Sequence, residues 1–200
     1  MHRMRTMLTA ALLLGGAAVS PVLAETPLQA SPAAKQEAER LAALPPVTPK
    51  GRPVKGRPVI DYSGRKERGH ASFYAPKFAG RKMADERRMN PNQNAAASKT
   101  LPLGTTAKVT NLETGKTATV TIQDRGPRRG DRIVDVSLKA AEQLGLKKRG
   151  VAPVEVSPIA VPQKDGSVKL GAGAVEANSK EVRRAVEMTK ALPPRTESRH

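Results

Sequence analysis

The chain has 200 residues, 35 of them lysine or arginine against 18 acids, a formal charge of +17, 2% aromatic residues and no cysteine. The missing cysteine excludes disulfides, cysteine–zinc sites and a lipid-modified N-terminal cysteine. The charge favours polyanionic surroundings, but aromatics are too scarce for base-stacking platforms, which argues against nucleic acid. Anionic envelope polymers, lipid headgroups or an acidic envelope protein fit better, and a merely solvated basic surface is the plain alternative.

Met1–Thr6 carries Arg3 and Arg5 and no acid, and the apolar run Met7–Val19 follows. Val22 and Ala24 then fill the small-residue positions of a cleavage site. This pattern predicts a secretory signal over residues 1–24, with an apolar stretch too short to span a bilayer. Cleavage would remove two arginines and lower the charge from +17 to +15. The expected product is exported, periplasmic or secreted, and has no membrane span.

Residues 25–68 are rich in proline, alanine, lysine and arginine and contain the direct repeat Lys50–Val54 and Lys55–Val59. They predict a basic, proline-stiffened linker. Within it, Pro32–Leu44 can form a short helix capped by Ser31, with Pro32 at its first position.

From Gly69 to Ser157 the statistics change. Thr105–Asn111 and Thr117–Gln123 alternate apolar and polar residues around Leu112–Lys116, which predicts a β-hairpin. Arg132–Val136 and Val151–Val156 are further short strands. Between them Ser137 caps a short helix, Leu138–Leu144, which stops at Gly145. Short strands with one small helix predict a mainly β fold, a compact barrel. Residues 158–200 are expected to be a flexible tail with a helix over 180–192. Ser179 is its cap, Val182, Ala185, Val186, Thr189 and Leu192 share one face, and Pro193–Pro194 ends it. That face reads either as a docking or membrane-surface stripe or as a frayed tail helix.

Several blocks within 69–157 carry a resemblance. Gly69–Tyr74 supplies a glycine, then Ala-Ser and two aromatics. Lys99–Thr105 is a Lys-Thr-Leu-Pro-Leu-Gly-Thr turn, and Val109–Leu112 with Gly115 follows it. Asp124-Arg125-Gly126-Pro127, Arg132–Ser137, Ala140-Ala141 and Leu144-Gly145 complete the series in order and spacing. This segment resembles the rare lipoprotein A family of peptidoglycan-cleaving enzymes. The resemblance implies a six-stranded double-psi β-barrel with one or two short helices, flanked by disordered or weakly helical tails. It also implies lytic transglycosylase chemistry on the bond between N-acetylmuramic acid and N-acetylglucosamine. An acid protonates the glycosidic oxygen, a base deprotonates the muramic 6-hydroxyl, and a 1,6-anhydro end results without water. No cofactor is implied.

The family pattern Thr-Ala-Asn/Ser-Gly-Glu aligns without gaps to Met83–Arg87, so its glutamate falls on Arg87 and its later histidine on Ser98. A one-residue loop shift would return a carboxylate, Glu86, to the site. By resemblance Asp124 and Glu86 are the catalytic candidates, with Tyr74, Arg125 and Asp135 binding substrate. From the residues alone, Asp124 can equally be a salt-bridge or turn-capping residue. The crowd of Arg125, Arg128 and Arg129 suits a base or anion-organising residue more than an acid. Asp135 can pair with an arginine, and strand alternation must send either Phe73 or Tyr74 into the core. His70 reads as a solvated strand-end residue, and no metal site is expected. Peptidoglycan strands are the expected partner. A non-catalytic, expansin-like wall-binding module that has lost the family's Glu and His stays open, as does an envelope interaction protein with the barrel as scaffold.

Overall fold

A computed structural model describes residues 31–47, 59–128 and 130–192. The expected signal, the repeat at 50–58 and the Pro193–Pro194 stop lie outside the described residues.

The hairpin forms where alternation places it. Strand β3 (Thr106–Asn111) pairs antiparallel with β4 (Thr117–Arg125), with Val109 opposite Ala118 and Ala107 opposite Val120. These four residues, with Ile122, face inward and are buried. At the turn, the Asn111 carboxamide accepts from the Glu113 amide at 2.9 Å, and Gly115 takes φ +69°. Both are ordinary turn chemistry.

Four more strands close the barrel. They are β1 (Glu67–Phe73), β2 (Ala95–Ser98), β5 (Arg132–Val136) and β6 (Ala152–Pro162). The strand order β1-β5-β2-β4-β3-β6 returns on itself through a β6–β1 pairing, so all six strands have two neighbours. Closure removes open edges. Two of the pairs, β1 with β5 and β2 with β4, are parallel, and both carry a register shift. Helix α2 (Leu138–Leu144) is capped by Ser137 and stopped by Gly145 at φ +74°. It docks on the hairpin through the Asn111 side-chain amide, which donates to the Leu144 carbonyl at 2.9 Å.

The ordered structure runs past both ends of the segment read from sequence. Strand β6 does not stop at Ser157. A bulge opposite β3 accommodates Pro158 and swings the fully buried Ile159 into a second apolar cluster with Ala160 and Ala185. Proline is tolerated at a bulge, so Pro158 is no strand end here. Strand β7 (Val168–Leu170) adds to β6, and a 3₁₀ turn over Ala172–Ala174 lies against it. A Cβ on Gly171 or Gly173 would meet the carbonyl oxygen of Pro158 or Ser157 at 2.4 Å, so glycine allows that approach. Helix α3 (Ser179–Lys190) is capped by Asn178, one residue before the expected Ser179. Its Ala185 and Thr189 are buried on the barrel, with the Thr189 and Thr106 hydroxyls 3.2 Å apart. The expected apolar stripe is therefore spent on the molecule itself. Helix α1 (Pro32–Ala43) has the expected cap and first residue, and buries Ala38 and Leu41 in the segment expected as linker.

Glu67, at the start of β1, accepts from the Thr100 hydroxyl at 3.0 Å. Burial raises its pKa above the ordinary glutamate value; the Thr100 bond opposes this, Asp61 adds to it and Lys99 opposes it. A raised folded-state pKa means stability is fully present below the unfolded pKa and lost as pH rises through the folded one. Glu67→Gln should therefore melt higher than the natural chain at pH 7, and the gap should close on acidification. Thermal melts across that range test the sign.

Candidate active site

In the β2–β4 pair Ala96 faces Ile122 and Ala97 faces Asp124, leaving Gln123 as the extra residue of a bulge. Bulges re-aim side chains, and here the shift brings Asp124 into a row across four strands. Ser72 of β1 pairs with Asp135 of β5, Asp135 with Ala97 of β2, and Ala97 with Asp124 of β4. Directly paired residues share a face. The small Ala97 thus lies between two acidic residues whose backbones are two strand spacings, about 10 Å, apart.

Donors converge on Asp124. The Tyr74 hydroxyl donates to Oδ2 at 2.9 Å, and the amides of Ala84 and Arg125 donate to Oδ1 at 3.0 and 2.8 Å. Tyr74 follows β1, its amide bonded to the Val136 carbonyl at 3.0 Å, and its ring meets Phe78 edge-on at 5.8 Å. Burial pushes the Tyr74 hydroxyl far above the ordinary tyrosine pKa, reinforced by the charge and hydrogen bond of Asp124 and the charges of Asp135 and Asp85. Tyr74 is therefore a permanent donor. Phe73, its neighbour, packs on the core, so alternation sends Phe73 inward and leaves Tyr74 for the rim. Beside Tyr74 is a dimple of about 110 Å³ lined by Ala79, Met89, Pro91 and Leu138 among others.

The loop between β1 and β2 is anchored by the buried Met83 and Met89. The Asp85 amide donates to the Gln123 carbonyl at 3.0 Å, tying the loop to the bulge. Asp85 in turn holds Arg87, accepting from its amide at 3.0 Å and its Nε at 2.9 Å. Glu86, exposed at the tip, has φ +68°. That conformation favours glycine, and glycine is what the family pattern has at this position. In the ungapped alignment Glu86 stands in the glycine's place and Arg87 in the glutamate's. Glu86→Gly is expected to raise stability by about 1 kcal/mol by removing the left-handed strain; denaturant titration checks it.

The other candidates are engaged locally. The Arg125 guanidinium donates to the Leu101 carbonyl at 2.7 Å. Asp135 accepts from the Ser72 hydroxyl at 2.6 Å and pairs with Arg132 at 2.8 Å. Ser98, at the family's histidine position, is buried and accepts from the amides of Thr100 and Leu101 at 3.3 and 3.1 Å, which caps the turn into β3. His70 lies 3.0 Å from Asp131. Among the described residues no group of three or more histidines and acids is placed to hold a metal. Sequence reasoning missed the loop's part in the site: the Ala84 amide on Asp124 and the Asp85 amide on the Gln123 carbonyl have no local signal, because they reach a strand about 40 residues away.

A closed six-stranded barrel on two parallel strand pairs, presenting a carboxylate and a half-buried tyrosine at its rim, defines a double-psi β-barrel. Residues 66–156 match the family model described as lytic transglycolase. A relative from Neisseria meningitidis serogroup A, named endolytic peptidoglycan transglycosylase RlpA, is 44% identical over 91 residues, 46% of this chain and 38% of the relative. One from Synechocystis, named as a probable enzyme of the same kind, is 48% identical over 86 residues, 43% of this chain and 27% of the relative. The Campylobacter jejuni relative is 39% identical over 121 residues, covering 60% of this chain and 42% of its own. The chain thus spans less than half the length of these curated relatives. Among solved structures, an expansin from Clavibacter michiganensis aligns at 19% identity and TM-score 0.39, over 47% of this chain and 50% of the expansin. A Streptomyces papain inhibitor aligns at 23% and 0.38, over 47% and 94%.

Proposed function

We propose that this protein is an endolytic peptidoglycan lytic transglycosylase of the RlpA kind, cutting glycan strands between N-acetylmuramic acid and N-acetylglucosamine to leave 1,6-anhydro ends. The observation that carries the reading is the convergence of three donors on Asp124 in a row of polar residues across the barrel face. In this reading Asp124 takes the proton of the muramic 6-hydroxyl as that oxygen attacks the anomeric carbon. Glu86, on the adjoining loop tip, gives a proton to the departing glycosidic oxygen. One proton leaves the 6-hydroxyl, one reaches the leaving group, and no water is consumed. Tyr74, which keeps its proton, orients Asp124 and offers an aromatic face to a sugar. The dimple beside it suits the methyl of an N-acetyl group. Asp135, within the row, and Arg125, next to Asp124 in β4, are the further residues assigned to substrate binding.

Export fits a wall substrate: the signal expected at residues 1–24 would deliver the chain to the periplasm or outside. No helix among the described residues is long and apolar enough to cross a membrane.

One observation favours a second reading. Arg87 stands in the position of the family's glutamate, paired to Asp85. A groove that keeps its shape and loses its acid would bind wall strands without cutting them. Digestion of peptidoglycan in ¹⁸O-labelled water separates the possibilities. The transglycosylase reading requires anhydro ends free of ¹⁸O. Labelled reducing ends would mean a hydrolase, and unchanged strands a binding module.

A further inference from the structure

A second groove, of about 700 Å³, runs between α3 and the outer face of β3 and β4 and ends at Arg87 and Gln123. Its end touches the candidate active site, because Gln123 is the bulge residue next to Asp124 and its carbonyl holds the Asp85 amide. Helix α3 lies outside the stretch 66–156 that matches the family model, so this wall is an addition to the matched barrel. The groove is cationic. Lys139, Lys180 and Arg184 line it, all exposed and without an ion pair among the described residues, and Arg87 joins them at the active-site end. The carboxylate of the lining, Glu181, accepts from the Thr119 hydroxyl at 2.8 Å, which ties it back to β4.

Two polar atoms of the groove wall lack partners among the described residues. Thr121 is 3% exposed, and its hydroxyl has no hydrogen-bond partner. The Asn94 side-chain amide donates to the Thr119 carbonyl and to Gln143, which leaves its buried oxygen unmet. The two residues are adjacent, the Thr121 amide donating to the Asn94 carbonyl at 3.0 Å. Unsatisfied buried polar atoms cost free energy, and both residues line the groove, where a bound molecule can meet them.

The lining can be matched group by group to a strand that continues out of the active site. Each sugar of the proposed substrate bears an acetamido group, and each muramic residue bears a lactyl ether whose uncoupled carboxyl is ionised at neutral pH. Amide side chains, including Asn92, Gln93 and Asn178, alternate with the cations along the groove. Amides exchange paired hydrogen bonds with acetamido groups, and lysine and arginine take carboxylates. No aromatic ring lines the groove, so the sugars would be held by these edge groups and not by stacking. The volume is in the range of small-ligand sites, which suits a short segment of strand. We propose that this groove is a further subsite for the glycan, beyond the sugars at Asp124, in which Lys139, Lys180 and Arg184 take the lactyl carboxylate of a muramic residue. The inference rests on the proposed wall substrate and adds to it: α3 lengthens the barrel's grip on the strand and reads its charge.

Calorimetric titration of Asp124→Asn, in the chain from Glu25 onward, measures strand binding with cleavage suppressed. The probes are a peptide-free glycan octasaccharide with free lactyl carboxyls and the same octasaccharide with those carboxyls methyl-esterified. The acid should bind about tenfold or more tighter than the ester, the worth of a charge-assisted bond. Adding Lys139→Gln/Arg184→Gln should bring the acid down to the ester and leave the ester's affinity unchanged. With Asp124 in place, the same two substitutions should raise KM for release of anhydro ends and barely move kcat, since they remove uniform binding. Thr121→Val should weaken binding without lowering the melting temperature, since it removes an unpartnered hydroxyl. Failure of the acid to bind, equal affinity for acid and ester, or a preference that persists in the double variant would overturn the assignment. A natural chain that still releases anhydro ends in that case loses this inference and keeps the proposed activity. A carboxylate preference that depends on Lys139 and Arg184, with no anhydro ends released, keeps the inference and removes the activity.

Discussion

Asp124→Asn should cut the release of 1,6-anhydromuramoyl ends by about 10²–10⁴-fold, the range supplied by one positioned proton-transfer group. The substitution is close to isosteric. An asparagine oxygen in the Oδ1 place still accepts from both amides, and its NH₂ in the Oδ2 place can donate to the Tyr74 hydroxyl oxygen, which now donates at 2.9 Å. The melting temperature should therefore move little while the rate collapses, so the loss reports on proton transfer. Tyr74→Phe should show a smaller fall, because it removes one of three donors and leaves the carboxylate. A variant that melts normally and still releases anhydro ends at the natural rate would take Asp124 out of the chemistry.

The second large effect lies away from the site. Ile159→Ala should cost about 2–5 kcal/mol, the usual toll for emptying a buried isoleucine position. In a chain of this size that is a fall of about 5–15 °C in melting temperature. Ile159 is fully buried, and its cluster with Ala160 and Ala185 joins β6 to α3. Ion pairs fasten the same segment, Glu176 meeting Lys108 at 2.7 Å and pairing also with Lys66. If Ile159→Ala melts like the natural chain, residues beyond 157 are an appendage; the expected fall makes them part of the folding unit.

These two residues mark the limits of what sequence made legible. The β3–β4 hairpin announced itself because β-branched residues alternate with polar ones on both sides of a glycine-bearing turn. Helix α2 was equally plain, bounded by Ser137 and Gly145. Strand β2 was not, since Ala95-Ala96-Ala97 has weak β-propensity. It is a strand because it lies between β4 and β5, with every residue buried. The small side chains that hide it from sequence also make room for the row of Asp135, Ala97 and Asp124. The continuation of β6 past Val156 was not legible, because a bulge in register with β3 is a tertiary feature. The burial of Ala38 and Leu41 in α1 depends on surfaces far away in sequence.

The site divides in the same way. Asp124 was visible in the Asp-Arg-Gly-Pro block. Its bonds to Tyr74 and Ala84, 50 and 40 residues distant, arise from barrel closure and from the extra residue Gln123. Glu86 was ambiguous in sequence, where a loop shift and an ungapped register were both open. Its φ of +68° is one that glycine adopts readily. That leaves Glu86 as an exposed carboxylate one residue before the family's acid position, and makes Arg87→Glu the natural test of whether restoring that acid accelerates the reaction.

The most direct measurement takes the chain from Glu25 to His200 and incubates it with peptidoglycan sacculi, intact and stripped of stem peptides. Soluble products are then read by mass spectrometry beside those of Asp124→Asn. The account predicts anhydromuramic ends from the natural chain that vanish in the variant. No soluble product from either, with both proteins still sedimenting with the sacculus, would contradict it and leave a wall-binding barrel without the chemistry.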